Sequence, residues 1–318
     1  MTLDEILVEI KQASSVVILA HEGPDGDAIG SSLALHHIIN NMGGKRVDVL
    51  MKDYPANFSF LPGVENIKKE TELEKYDLAI CLDCPDLYRV EESYQKYFEN
   101  AEVKVEFDHH TKNAMFGDFN IVNHVSPSTA QVLMTAFEYW GLEITKEVLT
   151  CIMTGVITDT GGFKNSNITP ETFELAAYAL TKGVNISKIY NITMMLISKN
   201  KFELQKLTSD RLEFFADGKV AFTYLTLEDS EKLGLKEGDH DGIVEIGRCI
   251  QGVEVSIFLY EKSNGFKASL RSNDYINVAE VCSTFGGGGH IKAAGATMTK
   301  DLEESKKMIV DEVVKNIK

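Results

Sequence analysis

Three potential metal ligands, His21, Asp25 and Asp27, lie within seven residues of one another. They follow the apolar run Val16–Ala20 and precede an apolar, helical segment that starts at Ala28. Two carboxylates and an imidazole suit a hard or borderline divalent cation. A proline-glycine turn of this kind is also typical of a helix start, in which the aspartates only cap the helix. This motif alone leaves both interpretations open.

The elements that would position these residues are short apolar strands separated by helical segments. We predict strands at Val16–Ala20, Val47–Met51, Leu78–Leu82 and Val103–Phe107. We predict helices over 28–41, from 126 to Trp140, over 146–157 and from 169 to Gly183, with further helical segments at 186–197 and 201–215. Strands that are apolar on both faces and alternate with helices indicate a parallel sheet covered by helices. The predicted fold of this part is therefore α/β.

Acidic and histidine residues recur where these elements end. Asp83 follows the third strand in the sequence CLDC, Asp108-His109-His110 ends the fourth, and Asp159 follows a helix. Ligand sites of parallel α/β sheets form at the carboxyl edge of the strands. Six side chains could close around two ions, with one carboxylate bridging: His21, Asp25, Asp27, Asp83, His109 and Asp159. Two ions so held can activate a water and bind a phosphoryl group. This oxygen-rich set favours Mn²⁺ over structural zinc.

The pattern of the sequence changes at Lys219. Segments 221–227, 253–260 and 266–272 are β-rich, with helices predicted at 241–250, 277–285 and 302–317. We predict a smaller C-terminal α+β domain with a mixed sheet. The predicted division is 1–190 for a metal-binding domain, 191–217 for a helical linker and 218–318 for a substrate-binding domain.

Composition narrows the class of protein. The chain has 318 residues and a formal net charge of −16, which disfavours long duplex nucleic acid as a partner. The N-terminal segment reads as an amphipathic helix rather than a signal peptide, and no apolar run has the length of a membrane span. Five cysteines in apolar segments indicate a reducing cytoplasm, and the lone Cys81/Cys84 pair does not predict a zinc or redox site.

In this order, the motif that begins at His21, the Asp in CLDC, the Asp-His-His triplet and Asp159 resemble the four motifs of the DHH phosphoesterases. The segments LRS and GGGGH resemble the C-terminal domain associated with that family, and the overall pattern resembles the NrnA-type oligoribonucleases. The resemblance implies hydrolysis of short oligoribonucleotides to mononucleotides and dephosphorylation of adenosine 3′,5′-bisphosphate to AMP. It also implies two divalent ions, with Mn²⁺ preferred over Mg²⁺ or Co²⁺. We expect a cytoplasmic enzyme, and the sequence leaves open whether it forms a homodimer.

The resemblance further implies a role for each motif residue. His21 and Asp25 would bind one ion, and Asp27, His109 and Asp159 the other. Asp83 would bridge the two ions. His110 would face the phosphate and protonate the leaving oxygen, with Asp108 accepting a hydrogen bond from a histidine.

The C-terminal motifs would bind the substrate. A glycine run alone is more typical of a structural turn, and Gly286–Gly289 matches neither a P-loop nor a dinucleotide fingerprint. The residues that the family places on the substrate's terminal phosphate or base are Arg271, Ser272, Gly287, Gly288, Gly289 and His290.

Two alternatives to this function remain open: a phosphodiesterase for linear or cyclic diadenylate, and a nucleotide-binding regulator without turnover.

Overall fold

The computed structural model of the chain describes residues 3–236 and 238–317. Its contacts divide the chain into two compact units, one that ends at Leu196 and one that begins at Ile197. The assignment of 1–190, 191–217 and 218–318 to separate roles stays a prediction. None of the described helices is long and apolar enough to cross a membrane.

The first unit contains a six-stranded sheet in which every pair of neighbouring strands is parallel. Its strands are β1 (Ser15–Ala20), β2 (Arg46–Leu50), β3 (Ile67–Lys68), β4 (Leu78–Leu82), β5 (Val103–Asp108) and β6 (Phe119–Val122). They lie in the order β3-β2-β1-β4-β5-β6, so the direction of the strand order reverses between β1 and β4. Such a reversal is where doubly wound folds place their ligands.

Helices cover both faces of this sheet, which confirms the predicted α/β class. They are α1 (Leu3–Gln12), α2 (Gly26–Asn41), α3 (Glu92–Glu99), α4 (Thr129–Tyr139), α5 (Lys146–Asp159), α6 (Pro170–Thr181) and α7 (Ile186–Tyr190). Alternate residues of β1 pack into two different hydrophobic cores, one on each face of the sheet. Val16 and Ile18 pack in the core that includes α2, α4 and α5, whereas Val17 and Leu19 pack in the core that includes α3. Burial on both faces explains why the strands are continuously apolar.

Glycines allow α2 and α5 to approach each other closely. A Cβ atom on Gly30 would lie 2.5 Å from the carbonyl oxygen of Cys151, and one on Gly26 would overlap the side chain of Thr158. On α5, a Cβ atom on Gly155 would overlap Oδ1 of Asp27. Without side chains at these positions, the first turn of α2 can lie against α5. This packing brings a carboxylate of α2 towards the end of α5.

The second unit contains a mixed sheet, which confirms the second part of the predicted fold class. Its strands are β7 (Glu213–Phe215), β8 (Val220–Leu225), β9 (Val255–Lys262), β10 (Gly265–Ser272), β11 (Gly288–His290) and β12 (Ala293–Met298). They lie in the order β11-β12-β10-β9-β8-β7, with β8 and β9 parallel and the other neighbours antiparallel. Its helices are α8 (Lys199–Asp210), α9 (Leu227–Leu233), α10 (Val244–Arg248), α11 (Val278–Ser283) and α12 (Leu302–Val314).

Two predicted helix boundaries were wrong, and several short elements were not predicted. The helix predicted over 201–215 ends at Asp210, and Glu213–Phe215 pairs instead with the next strand as β7. The turn between these strands contains Asp217 and Gly218, both at positive φ, and this hairpin overrides the helical pattern. The helix predicted from 126 begins later, because its cap is Ser128. Strands β3 and β6 and helices α3 and α9 were not predicted, since each is shorter than the window in which periodicity is informative.

Candidate metal centre

Three adjacent strands deliver the first ligands to one edge of the parallel sheet. His21 follows β1, Asp83 follows β4 and His109 follows β5, and these strands are neighbours in the sheet. Asp27 lies in the first turn of α2, and Asp159 is the last residue of α5. The close packing of α2 on α5 brings these two carboxylates to the same edge. The structure therefore brings together all six residues predicted as metal ligands.

The first group contains His21, Asp25 and Asp83, whose ligand atoms all lie within 4.8 Å of one another. Nε2 of His21 is 3.7 Å from Oδ2 of Asp83 and 3.9 Å from Oδ1 of Asp25. Asp25 also caps α2, because its Oδ1 accepts hydrogen bonds from the backbone N–H groups of Asp27 and Ala28. The helix cap and the candidate ligand are thus the same residue, and the two interpretations of the sequence do not exclude each other.

The second group contains Asp27, His109 and Asp159, again with ligand atoms within 4.8 Å of one another. Nε2 of His109 is 3.2 Å from Oδ2 of Asp159 and 4.0 Å from Oδ2 of Asp27. Asp27 is fully buried. One nitrogen of His109 therefore faces two carboxylates that come from different helices.

Asp83 lies between the two groups. Its Oδ2 faces Nε2 of His21 at 3.7 Å, and its Oδ1 faces Nε2 of His109 at 3.5 Å. The residue has a φ of 55°, in the left-handed region that non-glycine residues rarely adopt, while its N–H still donates to the carbonyl of Phe107 in the neighbouring strand. Strain of this kind collects at functional sites, where the surrounding structure holds it in place.

The N-terminus of α4 holds two of the carboxylates. The backbone N–H of Thr129 donates to Oδ2 of Asp27 at 2.6 Å, and that of Ala130 donates to Oδ1 at 2.9 Å. The hydroxyl of Thr129 donates to Oδ1 of Asp83 at 3.1 Å. The first N–H groups of a helix have no partner within the helix, and the helix dipole favours negative charge at that end. This arrangement fixes the orientation of both carboxylates.

Burial and neighbouring charges shift the pKa values of the carboxyl groups and histidines of the site. Burial, followed by repulsion from Asp83 and Asp159, raises the pKa of Asp27 well above its usual range. Burial also raises the pKa of Asp159, against the opposite effect of His109. For the histidines, burial lowers the pKa, but the neighbouring carboxylates outweigh it and raise the pKa of His21 to about 9 and that of His109 to about 11. The cluster therefore attracts positive charge strongly.

These residues fit divalent metal ions. Four carboxylates and two imidazoles converge from separate elements. Burial first, and then repulsion between the carboxylates, raises the pKa of Asp27 and Asp159, and a bound cation would favour their charged forms. Carboxylate-rich sets with imidazole suit Mn²⁺ and similar ions. The acidic cluster can thus hold metal at the carboxyl edge of the sheet.

His110 is oriented by a hydrogen bond beside the second group. Its Nδ1 lies 2.7 Å from Oδ1 of the fully buried Asp108 and donates a hydrogen bond to this oxygen. This hydrogen bond raises the pKa of His110 against the opposing effect of burial. Asp108 accepts a second hydrogen bond, from Nδ2 of Asn113 at 2.7 Å. The structure thus contains the predicted hydrogen bond between Asp108 and a histidine, which leaves Nε2 of His110 as the ring nitrogen that can serve a substrate.

A cavity of about 230 Å³ lies over the cluster. Its walls include five of the six predicted ligands and three other residues: Pro85, Arg89 and His110. Asp27 is absent from this wall because it is fully buried behind it. Among the described residues that line the cavity, Arg89 is the one permanently charged cation, and no motif of the sequence singles it out.

In the second unit, the sheet register relates Arg271 to His290. Both pair with Ala293 of β12, Arg271 from β10 and His290 from β11. Directly paired residues point to the same face of a sheet, so Arg271 and His290 share a face two strands apart, at about 10 Å. Nε of Arg271 also lies 3.4 Å from Glu245, a carboxylate that Arg248 contacts as well.

The second half of the glycine run is part of the sheet. Gly288 and Gly289 lie in β11 and pair with Gly295 and Ala294. Gly287 and Gly289 have no room for a Cβ atom, because it would overlap the backbone of β12, whereas Gly288 faces open space. Sheet packing thus explains two of the three predicted glycines, and only Gly288 leaves room for a ligand at its Cα.

Ser272 serves the backbone. It is buried, and its hydroxyl donates to the carbonyl of Ile276 at 2.7 Å. The buried Glu254 accepts hydrogen bonds from the backbone N–H groups of residues 274, 275 and 276. Together these two side chains fix the loop that follows Arg271.

Two family models match most of the chain. Residues 15–156 match the model of the N-terminal domain of the DHH family, and residues 217–318 match that of the DHHA1 domain. The chain is 31% identical over 300 residues to the bifunctional oligoribonuclease and PAP phosphatase NrnA of Thermus thermophilus, which covers 94% of this chain and 89% of that protein.

Solved structures agree with this match. An exopolyphosphatase-related protein from Bacteroides fragilis is 29% identical, with a TM-score of 0.88 over 98% of this chain and 95% of that one. RecJ from Thermus thermophilus, solved in complex with Mn²⁺, is 14% identical, with a TM-score of 0.51 over 99% of this chain and 53% of that one. At that identity the likeness to RecJ concerns the fold alone.

Proposed function

This chain belongs to the DHH family, and we propose that it is a metal-dependent phosphoesterase that hydrolyses short oligoribonucleotides to mononucleotides. We further propose that it dephosphorylates adenosine 3′,5′-bisphosphate to AMP, as the name of its Thermus thermophilus relative states for that protein. The observation that carries the proposal is Asp83, one carboxylate whose two oxygens face two histidines of separate ligand groups. That geometry supports a bridging ligand between two ions.

The ligands divide between the two proposed ions as the geometry groups them. His21 and Asp25 would hold one ion, Asp27, His109 and Asp159 would hold the other, and Asp83 would contribute to both. We propose Mn²⁺ because the set is rich in carboxylates and the RecJ relative was solved with that ion. When bound, a pair of divalent ions activates water and neutralises charge on a phosphoryl group.

The protein's own residues supply positioning and proton transfer. Asp108 accepts a hydrogen bond from the Nδ1–H of His110, and this hydrogen bond raises the pKa of the histidine, which favours its protonated form. His110 can therefore stabilise negative charge on the phosphate and give a proton to the leaving oxygen. Thr129 and Ala130 prevent Asp27 from moving as charge develops.

The second unit is proposed to bind the rest of the substrate. Arg271 can contact a phosphate through two parallel hydrogen bonds, and His290 lies on the same face of the sheet. Ser272 would act indirectly, because its hydroxyl is already bonded to the loop that follows Arg271. In this proposal 1–190 binds metal, 218–318 binds substrate and 191–217 connects them. Recognition of a second phosphate would favour short substrates. The net charge of −16 agrees with this proposal, because an extended groove for nucleic acid would need positive charge.

A turnover panel tests the proposal. Protein stripped of metal and reloaded with Mn²⁺ is assayed on a 5′-phosphorylated RNA dinucleotide, a longer RNA, adenosine 3′,5′-bisphosphate, cyclic diadenylate and pyrophosphate. We expect turnover of the dinucleotide and of the bisphosphate, little of the longer RNA, and none without metal. Preferred turnover of cyclic diadenylate would replace the proposed substrate. Binding of nucleotides without turnover of any of the five would show a regulator instead.

A further inference from the structure

The geometry points to Arg89 as a residue that binds the scissile phosphate. This inference rests on the proposed phosphoesterase function and adds a residue that neither the motifs nor the ligand groups include. In it, the guanidinium of Arg89 donates hydrogen bonds to non-bridging oxygens of the phosphate that is hydrolysed, and so acts on every substrate of the enzyme.

The first observation concerns pairing. The chain has five arginines, and four of them contact a carboxylate: Arg46 with Asp48, Arg211 with Asp229, and both Arg248 and Arg271 with Glu245. Arg89 forms no ion pair with any residue in the described ranges. In a chain of net charge −16, an arginine without a carboxylate partner is unusual, and it leaves all of its side-chain N–H donors available to a ligand.

The second observation concerns location. Arg89 lines the cavity that also contains His21, Asp25, Asp83 and His110. The carboxylates of that cavity face histidines, backbone N–H groups and a hydroxyl rather than the guanidinium. A substrate phosphate bound beside the ligand groups would therefore lie beside a free guanidinium as well.

The third observation concerns rigidity. The carbonyl of Arg89 accepts a hydrogen bond from the N–H of Glu22 at 2.6 Å, and the next residue, Val90, forms a β-bridge with His21. The N–H of Arg89 donates to the carbonyl of Asp86, which caps this turn, and Val90 is buried. The backbone of Arg89 is thus tied to the residue that follows the first strand, so the arginine keeps its place relative to the ligand His21.

The chemistry of the side chain suits this role. A guanidinium is charged at every pH of interest and presents a planar fork that matches two oxygens of a phosphate. Lysine would supply the charge without the paired geometry. Removal of one preorganised donor to a developing negative charge typically costs 10²- to 10³-fold in turnover.

The test compares Arg89→Ala, Arg89→Lys and a matched control, Lys75→Ala, in the Mn²⁺-loaded protein. Lys75 precedes β4 at the opposite edge of the sheet, where it forms an exposed ion pair with Glu102, so its removal changes the net charge equally. Turnover is measured on bis(p-nitrophenyl) phosphate, whose only phosphate is the scissile one, and on the RNA dinucleotide. Binding of inorganic phosphate and the stoichiometry of Mn²⁺ are measured by calorimetry.

We expect Arg89→Ala to lose about 10²-fold in kcat/KM on both substrates and to bind inorganic phosphate at least about tenfold more weakly. Its Mn²⁺ stoichiometry should match the wild type, Arg89→Lys should recover only part of the loss, and Lys75→Ala should behave as wild type. Wild-type turnover and phosphate binding in Arg89→Ala would overturn the inference, as would loss of Mn²⁺. If the wild-type protein hydrolyses nothing, the proposed function fails, and the phosphate-binding comparison still decides the role of Arg89.

Discussion

Replacement of Asp83 by alanine tests the division of the metal centre into two groups. Without this residue, the first group retains only His21 and Asp25, and the side chain of Asp25 is 56% exposed. The second group retains all three of its members, Asp27, His109 and Asp159. The structure therefore predicts unequal effects: the first ion should be lost, and the second should still bind, though more weakly.

The size of the effect follows from the charge that is removed. Oδ2 and Oδ1 of Asp83 lie 3.7 and 3.5 Å from the two facing histidine nitrogens, so this carboxylate is close to both groups. Two unit charges at about 4 Å attract each other by about 4 kcal/mol at an effective dielectric constant of about 20. We use the unit-charge value for a divalent ion because desolvation offsets part of the stronger attraction. A loss of about 4 kcal/mol weakens binding of an ion by about a thousandfold.

The assay is calorimetric titration of metal-stripped protein with Mn²⁺, combined with turnover of bis(p-nitrophenyl) phosphate. We expect two ions per chain in the wild type, one in Asp83→Ala, and loss of turnover in the variant. The control is Asp77→Ala, which removes an aspartate that precedes the same strand at its other end and accepts hydrogen bonds from Ser14 and Ser15. Two tightly bound ions and near-wild-type turnover in Asp83→Ala would refute the bridging geometry.

Three further substitutions test other parts of the first unit. His110→Asn should lower kcat by about 10²- to 10⁴-fold with Mn²⁺ stoichiometry unchanged, because Asp108 orients this histidine for proton transfer rather than for metal binding. Gly155→Ala should weaken Mn²⁺ binding and lower stability by about 1–3 kcal/mol, because the new Cβ would overlap Oδ1 of Asp27; unchanged affinity would contradict the packing argument. Asp48 is buried and, despite that burial, hydrogen bonds hold its pKa at about 2. Because this pKa lies below the unfolded value near 4, the ionised carboxylate stabilises the folded state above pH 4, and this stabilisation is lost as the pH falls towards 2. We therefore expect Asp48→Asn to lower the free energy of unfolding by about 2 kcal/mol at neutral pH and by little at pH 2, as measured by urea unfolding.

Sequence reasoning predicted that the six candidate ligands lie close together, because their positions follow from one property of parallel sheets. Strand ends were predicted to within a residue or two, and His21, Asp83 and His109 lie beyond neighbouring strands. Parallel strands deliver such residues to one edge whatever the length of the connections between them. The assembly of a site from distant residues therefore needed only the class of the sheet and the ends of its strands.

The residues that sequence reasoning missed depend on tertiary packing. Thr129 interacts with two aspartates only because the first turn of α4 lies at the sheet edge, which no local pattern indicates. The spacing of Gly26 and Gly30 could have predicted the close packing of α2 on another helix, since glycines four residues apart in a helix often lie where a second helix approaches. Ser272 had the opposite outcome: its place in a family motif implied contact with substrate, whereas its hydroxyl is bonded to the backbone of Ile276.

The candidate metal centre and the packing of the first unit depend on each other. Asp27 is buried at a cost that the raised pKa of its carboxyl reports, and the N–H groups of α4 compensate for that cost only in part. Asp159 carries a similar cost at the end of α5, and α5 can lie this close to α2 because Gly30 and Gly155 lack side chains. Cations bound to these carboxylates in the folded chain would relieve the repulsion and so would stabilise the packing that creates the site. The same helices therefore serve the hydrophobic core along their length and the chemistry at their ends.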